Sequence, residues 1–566
     1  MEPFKLGINM AGAISAGAYT AGVLDFLTEA LDEWYTAKEN GDPVPSHDIS
    51  IEAFSGASAG GMCAAISACL LQEDFDHIHD VSRSGSTNKL YEAWVNTIDI
   101  RHLLTTGDLA AGSLISLLDS TIIESIADQA LTPGTPERRK YVSPNLTLFL
   151  TLTNLRGVPY ALFEGQTLTP DEYVTYHADR LRFETVEPGS EPKSSDARPL
   201  TRGGNDEVWA LLKTAAMATG AFPVFLAPRV IDRSKAEYDR PLWEPICQGR
   251  SSDRAPAFPP GQQDPWTTVN VDGGVTNNSP FALAHDYLAT LEPRRGGCEM
   301  EGSAHRTDRA VLTIAPFPGN EDWNRKYDAP RHRTVFAVLG DLLSTLIAQS
   351  RFLGESLSGV TGGPSFSRFF IAPSDEQRRG EHPLQCGLLG SFGGFFERDF
   401  RAHDFQLGRR NCQRFLETSF LLPESNPLFA GAGQEIRAQF AREAPEGAGQ
   451  TAEKWLPVVP LVGSALEEVP HPAPGTITRA SLNEIVGLIA QRANALLPLM
   501  IAKLRSRLLR LLIRWGARVV IAVRGKQELT EYLEEALEGF VVDKKIVTPQ
   551  QSSASPRDRT ASPAAS

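Results

Sequence analysis

The sequence predicts an α/β fold on a largely parallel central sheet, with a helical region toward the C-terminus. Strand-like and helix-like stretches alternate through the first two-thirds of the 566 residues. The chain opens on a strand that passes through a glycine-bearing turn into a long helix. A second strand enters a second helix through Gly-x-Ser-x-Gly. Beyond about residue 480 the pattern becomes almost wholly helical.

Taken in order, FKLGIN at 4–9 reads as a strand and residues 15–37 as a helix. This beginning imitates a secretory signal, but glycines and Asn9 interrupt its apolar stretch and Glu2 offsets Lys5, so strand, turn and helix are expected instead. ISIEAF at 49–54 is β-branched and aromatic, a strand, and GMCAAISACLL after the turn is a helix. Further strands are expected at 146–155, 267–274 and 310–317, and helices at Glu207–Thr219 and 336–357. Two polar, proline-bearing inserts, at 186–206 and 250–265, read as loops or flaps because they bury too little apolar area to order themselves. The expected units are a catalytic domain over 1–420, a Pro/Gly-rich connector over 421–480 with a helix near 435–442, a helical region over 481–546 and a disordered tail over 547–566.

A formal net charge of −14 argues against nucleic acid as a partner, since that binding rests on a cationic surface, and leaves neutral or lipidic substrates open. The six cysteines form no C-x-x-C pair, which suits a reducing compartment, and the expected location is the cytoplasm. No H-E-x-x-H or other metal-ligand spacing occurs, so neither metal nor cofactor is expected. No uninterrupted apolar run reaches about 18 residues, so no membrane-spanning helix is expected.

The chemistry centres on AFSGASAGGMCAA at 53–65, where Gly56 and Gly60 flank Ser58. Between a strand and a helix this pattern lifts a hydroxyl out of a sheet, the glycines letting neighbouring backbone pass close by. By composition alone a chain of this length shows about 0.2 such matches, so the motif needs support. VNVDGGVTNNSP supplies it by placing Asp272 at the end of a strand, with Gly273 and Gly274 turning the chain away, although Asp-Gly is also a common turn. NMAGAISAGAYTAGVL offers backbone N–H groups at a helix start, suited to a developing oxyanion. AAMATGAFPVF at 215–225 reads as a helix end that turns through Gly220 and Pro223 to wall a pocket.

Together these pieces resemble the patatin-like phospholipases. GAYTAGVL at 17–24, GASAG at 56–60, AMATGAFP at 216–223 and DGGVTNNSP at 272–280 follow that family's order and spacing over about 270 residues. The resemblance implies a patatin-like layered fold and hydrolysis of lipid or phospholipid acyl esters, without cofactor. It also implies a Ser–Asp dyad in which Ser58 is the nucleophile and Asp272 its base, through an acyl-enzyme. A free carboxylate is a weak base, so Asp272 is expected to need desolvation. The oxyanion donors implied are backbone N–H groups of Gly12, Ala13, Ile14 and Ala59. Here the chain departs from the family's G-G-G-x-R-G: Ala13 and Ile14 replace glycines and Ala16 replaces the arginine. Loss of one oxyanion donor costs about 3 kcal/mol, roughly a hundredfold in rate. Acyl transfer to an alcohol on the same dyad, and a non-catalytic lipid- or partner-binding role, stay open.

A Ser–His–Asp triad would need a histidine. His403 beside Asp404 is the candidate, but neighbours on a helix do not face each other, and the surrounding LGSFGGFFERDFRAHDFQLGRRNC reads as a packed, ion-paired helix. His77 and His79 read as surface residues. Near the C-terminus, Lys503, Arg507, Arg510, Arg514 and Arg518 recur on one helical face, with Leu504, Leu508, Leu511, Leu512 and Trp515 on another. Residues 503–518 therefore suit either a peripheral membrane surface or packing on the protein's own acidic surface. Oligomeric state is not legible.

Overall fold

The computed structural model describes residues 2–161, 173–238, 256–292, 300–317, 365–377, 383–502 and 526–542, apart from one to three positions at a time within them, together with Val338, Leu342, Thr345, Gln349 and Ser350. The core of the sheet is β1 (Phe4–Met10), fully buried along its length. It lies parallel between β2 (Ile49–Gly56) and β8 (Arg309–Ile314). A strand buried on both faces reads as a continuous apolar run, which FKLGINM nearly is. Outward from β2 come β3 (Val142–Ala161), β4 (Tyr173–Val186) and β5 (Arg198–Thr201), and outward from β8 comes β9 (Arg368–Ile371). Most pairings are parallel; β3 pairs antiparallel with β4 and with β7 (Trp266–Asp272), which in turn carries β6 (Arg229–Arg233). The chain leaves β1 for β2 on one side while β8 arrives on the other, so the carboxyl end of β1 is a topological switch point.

Two helices start from this edge: α1 (Gly17–Asn40) follows β1, and α2 (Ser58–Leu70) follows β2. Beside them stand α3 (Thr121–Ala130), α4 (Glu207–Thr219), α5 (Phe281–Thr290) and α6 (Arg398–Thr418). The aromatic, arginine-rich segment is indeed a packed helix. It crosses α1 backbone to backbone, since a Cβ at Gly22 would overlap the Phe405 carbonyl and one at Gly408 the Tyr19 carbonyl. Residues 421–480 lie against the same core: Leu421–Pro423 pairs antiparallel with Trp455–Pro457, and Phe429, Trp455 and Val458 are buried. A short helix, α7, spans Gln434–Phe440, and α8 spans Arg479–Ala502.

Several expectations are corrected. Strands β4, β5, β6 and β9 were not foreseen, and β5 falls inside the polar insert read as a loop. The insert orders because β4 offers it an open edge and because Arg182 of β4 pairs with Asp196 at 2.9 Å. His77 is not a surface residue: it bonds Asp32 at 3.3 Å and lies 3.5 Å from Asp25. Burial opposes its charge, but the Asp25 and Asp32 carboxylates outweigh burial and push its pKa up to about 9. α8 is long and apolar enough to cross a membrane by length and composition, against expectation, because its few polar residues are spread thinly. In the structure Arg492 is buried and pairs with Asp108 at 2.8 Å, fixing α8 to the body. The membrane-docking segment 503–518, the tail 547–566, Cys247 and Cys298 lie outside the described residues, as do most of the helix expected over 336–357 and much of the insert over 250–265.

Asp25, Glu29 and His77 converge closely enough to offer three metal-ligand atoms within 4.8 Å of one another. The cluster already holds the protein's own cations: Arg409 of α6 donates to Asp25 and, at 2.6 Å, to Glu29, and His77 is held protonated. Removing one partner of a buried ion pair strands the other's charge, typically at a cost of about 3–5 kcal/mol. Arg409→Leu is therefore expected to destabilise the protein by about that amount in denaturant titration, whereas replacing the exposed Arg414 should change stability by less than about 0.5 kcal/mol.

Candidate active site

The site lies at the carboxyl ends of β1 and β2. Ser58 is the first residue of α2 and takes φ = +53°, a left-handed conformation that a non-glycine residue holds only when its surroundings enforce it. The surroundings are the flanking glycines. A Cβ on Gly60 would collide with the Met10 carbonyl, and one on Gly56 would stand 2.6 Å from the Gly60 carbonyl. The turn is thus wedged between β1 and its own helix, leaving Ser58 almost buried. Its backbone N–H is held by Thr219 Oγ1 at 3.0 Å, from the last residue of α4.

Asp272 arrives from the other side through strand register. Gly56 of β2 pairs with Leu150 of β3, and Leu152, two residues further along, pairs with Asp272. The carboxylate thereby comes level with the elbow just past the end of β2. Ser58 Oγ donates to Asp272 Oδ2 at 2.6 Å, and the Gly274 N–H donates to Oδ1 at 2.7 Å. The main chain of Asp272 is clamped as well: its N–H donates to the Ala221 carbonyl at 2.9 Å, and its carbonyl accepts from Thr153 Oγ1 at 2.7 Å. Gly273 is required because a Cβ there would strike the Thr151 carbonyl. Burial raises the Asp272 pKa to about 7, against the opposing bonds from Ser58 and Gly274.

The turn after β1 supplies the oxyanion candidates, and it separates them. The Gly12 N–H donates to the Asn278 carbonyl at 3.0 Å, so it is already engaged and the expectation for Gly12 is corrected. Gly12 matters instead for space: a Cβ there would overlap Asn278 Oδ1 and stand 3.0 Å from the Ser58 Cβ. The N–H groups of Ala13 and Ile14 have no acceptor among the described residues. Ala59 is the second residue of α2, so its N–H has no intrahelical acceptor either. Ile14 and Ala59 border the same cavity as Ser58 and Asp272. Ile14 takes φ = +49°, the conformation a glycine would hold freely; for a β-branched residue this strain is of order 1–3 kcal/mol.

That cavity is apolar. Met62 and Ile66 of α2, Ile123 and Ile126 of α3, Phe222 and Phe392 wall it; Ser58, Asp272 and Trp94 bring polar groups to its lining. Gly220 and Phe222 border it, as the pocket-wall reading of 215–225 expected. His403 does not border it. The histidine is buried on α6 and its Nδ1 lies 2.8 Å from Asp404 Oδ1, so these neighbours do pair, contrary to expectation. Nδ1 sits close to its own backbone, within reach of a short aspartate that also accepts the Gln385 and Cys386 N–H groups at 2.9 Å. Sequence reasoning missed Thr219 and Asn278 as supports of the elbow. Both lie inside the motif segments, but nothing in their spacing says which backbone they meet.

The profile of the Patatin-like phospholipase family matches residues 9–285, from the end of β1 through Asp272 into α5. That match defines the class, a hydrolase of the esterase and lipase type acting on a lipid substrate. A Sinorhizobium fredii protein, named Uncharacterized protein y4iI, is 35% identical over 520 residues, covering 83% of this chain and 72% of its own. The solved structure of VipD from Legionella pneumophila aligns over 94% of this chain and 88% of that one at 11% identity, with a TM-score of 0.20 that carries no argument. The chain belongs to the patatin-like phospholipase family.

The Asp272 pKa has a consequence for stability that is independent of activity. In the unfolded chain the group titrates near 3.8, in the folded protein near 7. Between those values the folded state binds more protons, so this group's contribution to stability is present at low pH and is lost as pH rises through about 7. Asp272→Asn removes it, so the variant's stability relative to wild type should increase from pH 4 to pH 8 in parallel denaturant titrations.

Proposed function

We propose that this protein is a phospholipase A-type lipid acyl hydrolase that cleaves carboxylic esters through a Ser58–Asp272 dyad. The observation that carries this reading is the 2.6 Å hydrogen bond from the Ser58 hydroxyl to a buried Asp272 carboxylate at the head of an apolar cavity. In the first half-reaction Asp272 Oδ2 takes the hydroxyl proton as Oγ bonds to the ester carbonyl carbon. The negative charge that develops on the carbonyl oxygen is received by the N–H groups of Ala59 and of Ala13 or Ile14. When the tetrahedral intermediate collapses, the carbon–oxygen bond to the leaving alcohol breaks and Asp272 returns the proton to it. Water then attacks the acyl-enzyme, giving its proton to Asp272, and the fatty acid leaves as Ser58 is reprotonated. A carboxylate with a pKa near 7 is a far stronger base than an ordinary one, which lets it serve without a histidine.

The same reading places the protein in the cytoplasm at a membrane surface. α8 leads directly into the basic, leucine-rich 503–518 segment, and its Met500 is exposed. Arginines that meet anionic headgroups and leucines that enter the acyl region suit that arrangement.

On a panel of phospholipid, lysolipid and acylglycerol esters, Ser58→Ala and Asp272→Asn should each reduce hydrolysis by at least about a thousandfold, the scale of losing a nucleophile or its base. His403→Ala in a folded protein should retain it, and loss there would favour a triad. In wild type, kcat/KM should rise with pH through about 7 as Asp272 becomes the free base. A profile flat from pH 5 to pH 9 would contradict that assignment.

A further inference from the structure

The cavity beside Ser58 follows α2 for part of that helix's length. Ser58, Met62 and Ile66 are spaced four residues apart, which stacks them on one face of a helix. All three border the cavity. The next position on that face, Leu70, is buried and no longer borders it; it borders a separate small void. Along α2 the cavity therefore extends from the nucleophile to Ile66 and does not reach Leu70. At a rise of 1.5 Å per residue, Ile66 stands about 12 Å along the axis from Ser58. The space is also thin. The volume open to the centres of water molecules is about 60 Å³, too little for two chains side by side.

We propose that this cavity admits one unbranched acyl chain and measures it, with Ile66 as the residue that sets the length. The inference rests on the hydrolase reading above and names the substrate class within it: esters of a single, medium-length, saturated chain. A chain of single bonds extends about 3.5 Å per three bonds, so about 12 Å accommodates roughly ten carbons beyond the carbonyl before the chain meets Ile66. Met62, one turn from Ser58, lies alongside the middle of such a chain. A longer chain must bend or displace the buried packing at Ile66, and in a hydrophobic pocket one excess methylene already changes specificity by about tenfold or more.

Two readouts test this. One is hydrolysis of p-nitrophenyl esters of graded chain length. The other is labelling of Ser58 by alkyl fluorophosphonates of the same lengths, where the serine oxygen bonds to phosphorus and fluoride leaves, scored by intact mass. Both should peak near ten carbons and fall at least about tenfold by sixteen. Ile66→Ala should move the optimum to longer chains by about two or three carbons, and Ile66→Phe to shorter ones. If one variant fails to fold, the other, with the wild-type profile, decides. Activity that is equal from four to eighteen carbons, or an optimum that either folded variant leaves unmoved, would overturn the ruler while leaving the hydrolase intact. Absence of both hydrolysis and Ser58 labelling at every length would overturn the hydrolase reading and the ruler with it.

Discussion

One proton shared between a hydroxyl and a carboxylate in a nearly dry place constrains the rest of this structure. A carboxylate removed from water is costly unless its charge or its proton is accommodated, and among the described residues Asp272 is offered two donors, Ser58 and the Gly274 N–H. Burial outweighs these bonds and pushes the group's pKa up toward neutrality. That environment has to be built from backbone. The glycines at 56, 60 and 273 leave no side chain where three carbonyls pass, and the register of β3 against both β2 and β7 sets the height at which the aspartate meets the serine. A slip of one residue in either pairing would turn the carboxylate to the opposite face of the sheet.

Strain is concentrated around the same point. Ser58 and Ile14 both hold left-handed backbone, on the two turns that leave neighbouring parallel strands. At Ser58 this orients the hydroxyl toward Asp272. At Ile14 it reproduces a conformation that glycine supplies without cost, and the apolar packing of the partly buried isoleucine against the core offsets part of the difference. The arginine of the family pattern is absent, its place taken by the fully buried Ala16. On the reading proposed above, anion stabilisation would fall to backbone N–H groups and helix position rather than to that arginine.

The helix that first suggested a histidine base has another physical task. α6 is rich in charge, yet two of its arginines are turned inward: Arg409 onto Asp25 and Glu29 of α1, and Arg401 onto the carbonyls of Val95 and Gly394 at 3.0 and 2.7 Å. Asp404 holds the N–H groups of residues 385 and 386. Ser15, next to Ile14, donates to the Ser391 carbonyl at 2.7 Å and accepts the Gly394 N–H. Through these contacts α6 anchors the segment whose Phe392 and Phe395 wall the cavity, and it ties that segment to the turn after β1. His403 belongs to this framework.

The sequence by itself determined the nucleophile and its partner as candidates, the two strand–turn–helix units that open the fold, and the class of chemistry. Each is carried by local signals: glycines where backbone must pass, β-branched runs for buried strands, and an Asp at a strand end. It did not reveal β4 or β5, because charged residues such as Asp179, Arg182 and Glu184 obscure the strand pattern. Their partners, Arg233, Asp196 and the N–H groups of Lys193 and Ser194, come from other parts of the chain. Nor did it show that Gly12 gives its N–H to Asn278, that His77 is half-buried beside two carboxylates, or that Ser58, Met62 and Ile66 border one cavity. Those outcomes depend on which distant groups meet, and only the packed tertiary structure decides that, because burial and pairing energies belong to neighbourhoods in space rather than to stretches of chain.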